Sequence, residues 1–235
     1  IYLLNPPFVP RYSRNSRWAA RCRGGALYYP IWLCYTAGLL EKEGHNVRLI
    51  DSPAWDWNVE NVKEDVKKFK PDLVVIEGNF QSLTNDIRVA KEINEGVEAK
   101  TVLVGPPTSQ FPEKILKSNN SVDFIARFEY ELTIRYLAEA IEKGKDFRDI
   151  QGIYYKENGK IIHNANRKFI NSEELDGIPF VSKVYKEHLD IRDYFLNHAL
   201  YPMVQIFTGR GCPNQCTFCS WPKTLMGRKH RVRSI

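Results

Sequence analysis

The chain has 235 residues and a formal net charge of +6, with 43% of its residues hydrophobic and 26% charged. No apolar run approaches the roughly 20 residues that a bilayer crossing needs, and five cysteines without a visible secretory leader point away from a disulfide framework and toward reduced thiols in the cytoplasm. The basic excess is local: Arg11, Arg14, Arg17, Arg21 and Arg23 near the start, and Arg228, Lys229, His230, Arg231 and Arg233 at the end. Such runs can contact nucleic acid, but solvated loops and loops meeting phosphate or carboxylate ligands are the commoner case.

From Ile1 the pattern alternates strand and helix. Residues 1–4 read as a strand ending at Asn5-Pro6-Pro7. Residues 30–43 read as a helix, with Ile31, Leu33, Cys34, Ala37 and Leu40 near helical spacing and Gly44 as its C-cap. Strands follow at 47–51, 73–76, 101–105 and 122–126, and helices at 59–69, 83–93 and 131–143. The third strand is continuously apolar, as expected where helices cover both faces of a sheet. Five such units predict a doubly wound parallel sheet. Ligands of such sheets bind beyond the carboxyl ends of the strands, here the loops 5–29, 78–82, 105–112 and 127–131. The first exceeds the ~12–15 residues beyond which loops are usually functional or disordered.

Residues 152–162 read as a β-hairpin that extends the sheet, with Asn158-Gly159 supplying a type I′ turn. His163, Asn164 and Asn166 read as polar loop residues. A connector at 175–180 precedes a helix over 185–197, and Val204-Gln205-Ile206-Phe207 has the β-branched and aromatic content of a strand. Gly209 and Gly211 then allow a sharp turn into Cys212, Cys216 and Cys219, spaced CxxxCxxC with Phe218 before the last. Three thiolates in one loop can converge on one cubic iron–sulfur cluster. Its fourth iron would then lack a protein ligand and stay open to a small molecule. A zinc site with His230 as fourth ligand is the other reading. Trp221 is expected to pack under the loop, and Ser234 to cap a following helix.

The strand and cysteine loop resemble the radical S-adenosylmethionine (SAM) superfamily, whose signature is CxxxCxΦC after the first strand of a barrel. The resemblance implies that Cys212, Cys216 and Cys219 ligate a 4Fe–4S cluster, that the open iron holds the amino and carboxylate groups of SAM, and that Phe218 packs near the adenine. The first half resembles the cobalamin-binding domain that precedes the barrel in one large class of these enzymes. The resembling stretches are Asn5-Pro6-Pro7, the run from Ala37 through Gly44 into Asp51, Val104-Gly105-Pro106-Pro107-Thr108, and Val122 through Glu131. It implies cobalamin contacts at Asn5, Pro6, Asn79, Ser82, Gly105, Pro106, Thr108 and Glu129. Val104, Phe128 and Tyr130 stand where the family usually has glycine. No Asp-x-His-x-x-Gly follows the first strand, so no histidine ligand to cobalt is expected; His45 lies at the wrong end of the sheet, and Cys22 reads as an incidental thiol. Trp221-Pro222-x-Thr224 and Arg231-x-Arg233-Ser234 are similar to a subset that includes enzymes of hopanoid lipid biosynthesis.

The expected organisation is α/β: a Rossmann-like cobalamin-binding domain over 1–145, a hairpin and linker over 146–200, and the first strand and cluster loop of a radical SAM (β/α) barrel over 201–235. The chain starts inside a strand and stops soon after the cysteines, so it reads as a fragment that would not turn over alone. The implied activity is cobalamin-dependent radical SAM chemistry. A reduced cluster cleaves SAM to a 5′-deoxyadenosyl radical that activates a C–H bond for methyl transfer or radical rearrangement. The implied partners are a small-molecule or lipid substrate and an electron donor such as flavodoxin or ferredoxin. A radical SAM enzyme without cobalamin, and a non-catalytic cobalamin-binding module with a zinc-binding cysteine loop, remain alternatives. A plain nucleotide-binding Rossmann domain is disfavoured because no Gly-x-Gly-x-x-Gly follows the first strand.

Overall fold

Hydrophobic alternation in the computed structural model, which describes residues 1–15 and 20–234, builds two cores on one sheet. The elements in chain order are β1 (Tyr2–Asn5), α1 (Ile31–Lys42), β2 (Arg48–Asp51), α2 (Val59–Phe69), β3 (Leu73–Glu77), α3 (Leu83–Asn94), β4 (Lys100–Val104), α4 (Pro106–Gln110), α5 (Pro112–Ser118), β5 (Phe124–Ala126), α6 (Glu131–Glu142), β6 (Ile153–Glu157), β7 (Lys160–His163), α7 (Ser172–Gly177) and α8 (Val181–His188). A two-residue pair, β8 (Gly209–Arg210) with β9 (Arg231–Val232), lies near the end.

The sheet order is β2-β1-β3-β4-β5-β6-β7. The first five strands are parallel, and β6 and β7 join antiparallel. Leu3, Val75, Val102 and Val104 face one way, into a core with α1, α6 and α8. Tyr2, Leu4, Val74, Ile76 and Leu103 face the other, against α2 and α3. This period-2 division explains the apolar strands, since both faces are covered. Local chemistry sets the ends. Asn58 and Asn61 form a reciprocal capping box at the start of α2. Gly44, at φ +90°, follows α1, where the His45 N–H reaches the Leu40 carbonyl at 3.1 Å. Asn158 and Gly159 take φ 51° and 74° in the β6–β7 turn.

Four expectations are corrected. The helix expected over 185–197 begins and ends earlier, at Val181–His188. The Asp190 carboxylate accepts the Arg192 backbone N–H at 2.9 Å, a local bond that competes with helix continuation and leaves only a 3₁₀ turn. The strand expected at 204–207 joins no ladder; tyrosine hydroxyls bond the carbonyls of Met203, Gln205 and Phe207 instead. The loop 105–112 contains α4 and the start of α5, because proline is tolerated in the first helical turn. The connector at 175–180 starts inside α7, which the Asn171/Glu174 capping box opens. Arg17, and the helix expected after Ser234, lie outside the described residues. No described helix is long and apolar enough to cross a membrane.

Candidate functional site

Two regions carry chemistry: the carboxyl edge of the parallel strands and the cysteine loop. At the edge, the ends of β3 and β4 close on each other, with the Gly78 N–H donating to the Val104 carbonyl at 2.9 Å. Pro106 opens α4 directly after Gly105, and the Thr108 hydroxyl lies 2.7 Å from the Gly105 carbonyl and 2.8 Å from that of Ala126. One threonine thus ties the ends of β4 and β5, and the Gly78–Val104 bond ties β3 to β4.

Beside them lies a buried polar network centred on Arg14. Its guanidinium donates to Asn5 Oδ1 (2.9 Å), the Pro6 carbonyl (2.7 Å) and Asp86 Oδ1 (2.8 Å). Asn5 Nδ2 donates to Asp51 Oδ1 at 2.6 Å, and Tyr194 Oη to Asp51 Oδ2 at 2.8 Å. Ser82 Oγ donates to Asp86 Oδ2 at 2.6 Å, while Asn79 Nδ2 donates to the Arg14 carbonyl at 3.2 Å. Glu77, at the end of β3, accepts from Asn15 Nδ2 (2.9 Å) and Tyr130 Oη (3.3 Å). Asp86 pairs directly with the guanidinium, Asp51 reaches it through Asn5, and Glu77 feels its charge without touching it. Burial pushes Asp51 up to about 6 and Glu77 up to about 7, against the opposing pull of their hydrogen bonds. Asp86 is also raised by burial, with Arg14 opposing.

Of the residues expected to meet cobalamin, Asn5, Pro6, Asn79, Ser82, Gly105, Pro106 and Thr108 all lie at this edge and are buried. Glu129 is paired with Arg231. Arg14, Asp51, Glu77 and Asp86 were missed as site residues. Asp86 carried a signal: with Val89, Ala90 and Ile93 it completes the buried stripe of α3, where an apolar residue belongs. Tyr12 Oη, Arg14 Nε and Ser52 Oγ are buried without a hydrogen-bond partner. Ser52 lines a cavity of about 280 Å³ with Pro7, Phe8, Trp57, Asn85 and Arg88. A larger cavity, about 580 Å³, lies along α6 by Tyr136, Asp149 and Arg167.

The cysteine loop is closed at its base and open at its tip. β8 and β9 pair below it, the Cys212 N–H donates to the Gly227 carbonyl at 3.1 Å, and Arg228 Nη1 donates to the Asn214 carbonyl at 2.8 Å. Gly211 (φ +89°) packs so tightly that a Cβ would lie 2.0 Å from the Lys229 carbonyl oxygen. Cys212, Cys216 and Cys219 are free thiols, Cys216 exposed and the others half-buried. Phe218 is 61% exposed, and Trp221 packs partly buried against the main core. A single zinc, with Zn–S of about 2.3 Å, draws its thiolates to within about 4 Å of one another. The three sulfurs are not gathered within 4.8 Å, and among the described residues the group that is comprises Glu41, Glu187 and His188, between α1 and α8.

Residues 20–138 match the model of the B12 binding domain. An uncharacterized methyltransferase of Pyrococcus horikoshii is 32% identical over 209 residues, covering 88% of this chain and 43% of that protein. The cytidylyl-2-hydroxyethylphosphonate methyltransferase of Streptomyces wedmorensis is 26% identical (88% and 46% covered), and an anaerobic magnesium-protoporphyrin IX monomethyl ester cyclase of Rubrivivax gelatinosus 29% identical (87% and 36% covered). The chain spans less than half the length of these relatives. Its fold matches the cobalamin-dependent SAM radical enzyme OxsB (TM-score 0.70, 21% identity, 99% of this chain and 29% of OxsB). It also matches the radical SAM methyltransferase TsrM from Kitasatospora setae (TM-score 0.71, 17% identity, 99% and 43%).

Proposed function

The chain belongs to the B12-binding domain family, and from that premise we propose that it forms the cobalamin-binding part and the cluster loop of a radical SAM enzyme. The observation that carries the proposal is the presence of three free, accessible thiols on one loop, closed at its base, in a chain whose sheet is of the B12-binding type. Soft thiolates in that number suit an iron–sulfur cluster. When bound, the cluster supplies the electron for reductive cleavage of SAM, and cobalamin supplies methyl transfer or assists another radical outcome.

The chain's own residues hold and orient these groups. Cys212, Cys216 and Cys219 bind iron as thiolates, and Phe218 offers an exposed aromatic face to SAM. At the sheet edge the unpartnered Tyr12 Oη, Arg14 Nε and Ser52 Oγ present hydroxyl and N–H groups, which suit the amide and phosphate periphery of cobalamin. Asn5, Pro6, Asn79, Ser82, Gly105, Pro106 and Thr108 form the buried layer beneath them. The methyltransferases among the relatives favour methyl transfer as the outcome; the cyclases support radical rearrangement as the second reading. The substrate would be a small molecule or lipid, the electron donor a flavodoxin or ferredoxin, and the setting the reducing cytoplasm.

Anaerobic reconstitution of the whole protein with iron and sulfide, followed by EPR with and without SAM and by cobalamin absorption, tests the proposal. A 4Fe–4S signal that shifts with SAM, together with bound cobalamin, is expected. Stoichiometric zinc without a cluster would overturn the enzyme reading, and a SAM-responsive cluster without cobalamin uptake would move the protein to a cobalamin-free radical SAM enzyme.

A further inference from the structure

Both ends of the cysteine loop are pinned to two carboxylates at the junction of β5 and α6. Arg210 on β8 lies two residues before Cys212, and Arg231 on β9 is its cross-strand partner. Like charges placed directly opposite repel. Glu129 and Glu131, between β5 and the start of α6, supply the counter-charges. Arg231 grips Glu129 with a two-pronged fork, Nη1 to Oε2 at 2.8 Å and Nη2 to Oε1 at 3.0 Å. Arg210 Nη2 lies 2.6 Å from Glu131 Oε1, and its Nη1 lies 3.8 Å from Glu129 Oε1. All four side chains are buried, none more than 6% exposed. The Arg210 guanidinium also stacks over Trp32 at 4.6 Å and Tyr35 at 5.1 Å, both on α1. Arg231 reaches the carbonyls of Ile170 and Met226, so it also fixes the return limb of the loop.

Glu129 has little capacity left for another ligand. Besides the fork, its Oε2 accepts the Ile170 N–H at 2.9 Å. Between the two glutamates, Tyr130 turns inward to Glu77, so the carboxylates face the loop base while the intervening residue faces the strand ends. Apolar side chains would pack this junction without desolvating charge. What the charge node adds is direction: the Arg231 fork fits Glu129 in one orientation, while Arg210 is held to Glu131 by a close charge contact without an aligned hydrogen bond.

We propose that Glu129 and Glu131 are positioning residues for the cysteine loop, acting through Arg231 and Arg210 to fix how the cluster is presented to the B12-binding sheet, and that Glu129 is not a cobalamin contact. The assignment rests on the reading of Cys212, Cys216 and Cys219 as cluster ligands. Partners one shell out from a metal centre typically set its affinity by about 10–100-fold, and these two carboxylates act through the arginines that flank the ligating loop.

The test uses the whole protein, reconstituted anaerobically, as wild type, Glu129→Gln, Glu131→Gln and Arg210→Lys. Arg210→Lys keeps the buried charge but loses the planar contact, which guards against a variant that merely fails to fold. Iron and sulfide per chain, the EPR spectrum with and without SAM, and cobalamin absorption are read on each. Normal cobalamin uptake with cluster affinity lowered about 10-fold or more, or with an EPR spectrum altered in its response to SAM, is the expected result. Variants with wild-type cluster spectra overturn the assignment, whether or not cobalamin uptake falls. Equal loss of cluster and cobalamin in all three variants reduces the node to a folding element and also overturns it. A wild type without any cluster overturns the cluster reading itself, a result distinct from the other outcomes.

Discussion

A Cβ added to Gly105 would lie 2.3 Å from the carbonyl oxygen of Gly78. Gly105 also takes φ +102° and ψ −178°, a region open in practice to glycine alone. The two glycines let β3 and β4 end in contact and let α4 start at once, with Thr108 tied back beneath it. Gly105→Ala therefore meets both backbone strain and overpacking, and a loss of about 2–5 kcal/mol is expected. Urea unfolding measures it. A wild-type midpoint would mean that these strand ends part freely.

Glu77 and Asp51 make stability depend on pH in an unusual direction. Burial raises both carboxyls, Glu77 to about 7 and Asp51 to about 6. The folded chain therefore binds their protons more tightly than the unfolded chain. Their contribution is fully present below the unfolded carboxyl value and is lost as pH rises from about 4 through about 7. Each shift corresponds to roughly 3 kcal/mol at most. Glu77→Gln removes the charge while keeping an amide that can bond Tyr130 and Asn15. Its melting temperature should rise relative to wild type between pH 5 and pH 8. A difference between the two proteins that stays constant across that range would refute the assignment of a raised Glu77.

The sequence carried the parallel sheet because each element declares itself locally. The stretch 59–69 matches α2 to the residue, and Asn158-Gly159 sets the β6–β7 turn. The cysteine loop was legible for the same reason, all three thiols lying within eight residues. The polar edge was not, because its bonds span the chain: Asn5 to Asp51 across 46 positions, Arg14 to Asp86 across 72 and Glu129 to Arg231 across 102. A glutamate beside a strand end looks alike whether it meets a cofactor or an arginine far along the chain. The failure at 204–207 has the same origin, since β-propensity indicates an extended chain without naming what bonds it.

Cys216 separates cluster chemistry from folding. Its thiol is exposed on the open tip of the loop, so Cys216→Ala should change thermal stability of the metal-free protein by no more than about 0.5 kcal/mol. The same substitution should abolish a stable cluster in reconstituted protein, read as iron and sulfide per chain. Retention of full iron and sulfide would remove Cys216 from the ligand set.

The approach to Cys212 is held by three tyrosines rather than by a neighbouring strand. Tyr29 Oη donates to the Met203 carbonyl and Tyr185 Oη to that of Gln205, each at 2.8 Å. Tyr35 Oη donates to the Phe207 carbonyl at 3.2 Å and accepts the Phe207 N–H at 3.0 Å. Tyr29 is itself stacked between Tyr185 and Tyr194, with ring centroids 4.3 and 3.8 Å away. Alternate carbonyls face the tyrosines, so Val204 and Ile206 turn outward, each about half exposed. Removing one hydroxyl costs about 1 kcal/mol, or about fivefold in a local opening equilibrium. Tyr35→Phe takes away both bonds to Phe207, and hydrogen exchange at the Phe207 amide should accelerate by at least that factor. Exchange in β3, whose strand bonds the tyrosines do not touch, should stay unchanged. If the Phe207 amide exchanges at the wild-type rate, the Tyr35 hydroxyl is not what holds Phe207, and its order comes from ring packing against Trp32 and Tyr35 and from the bonds at Met203 and Gln205.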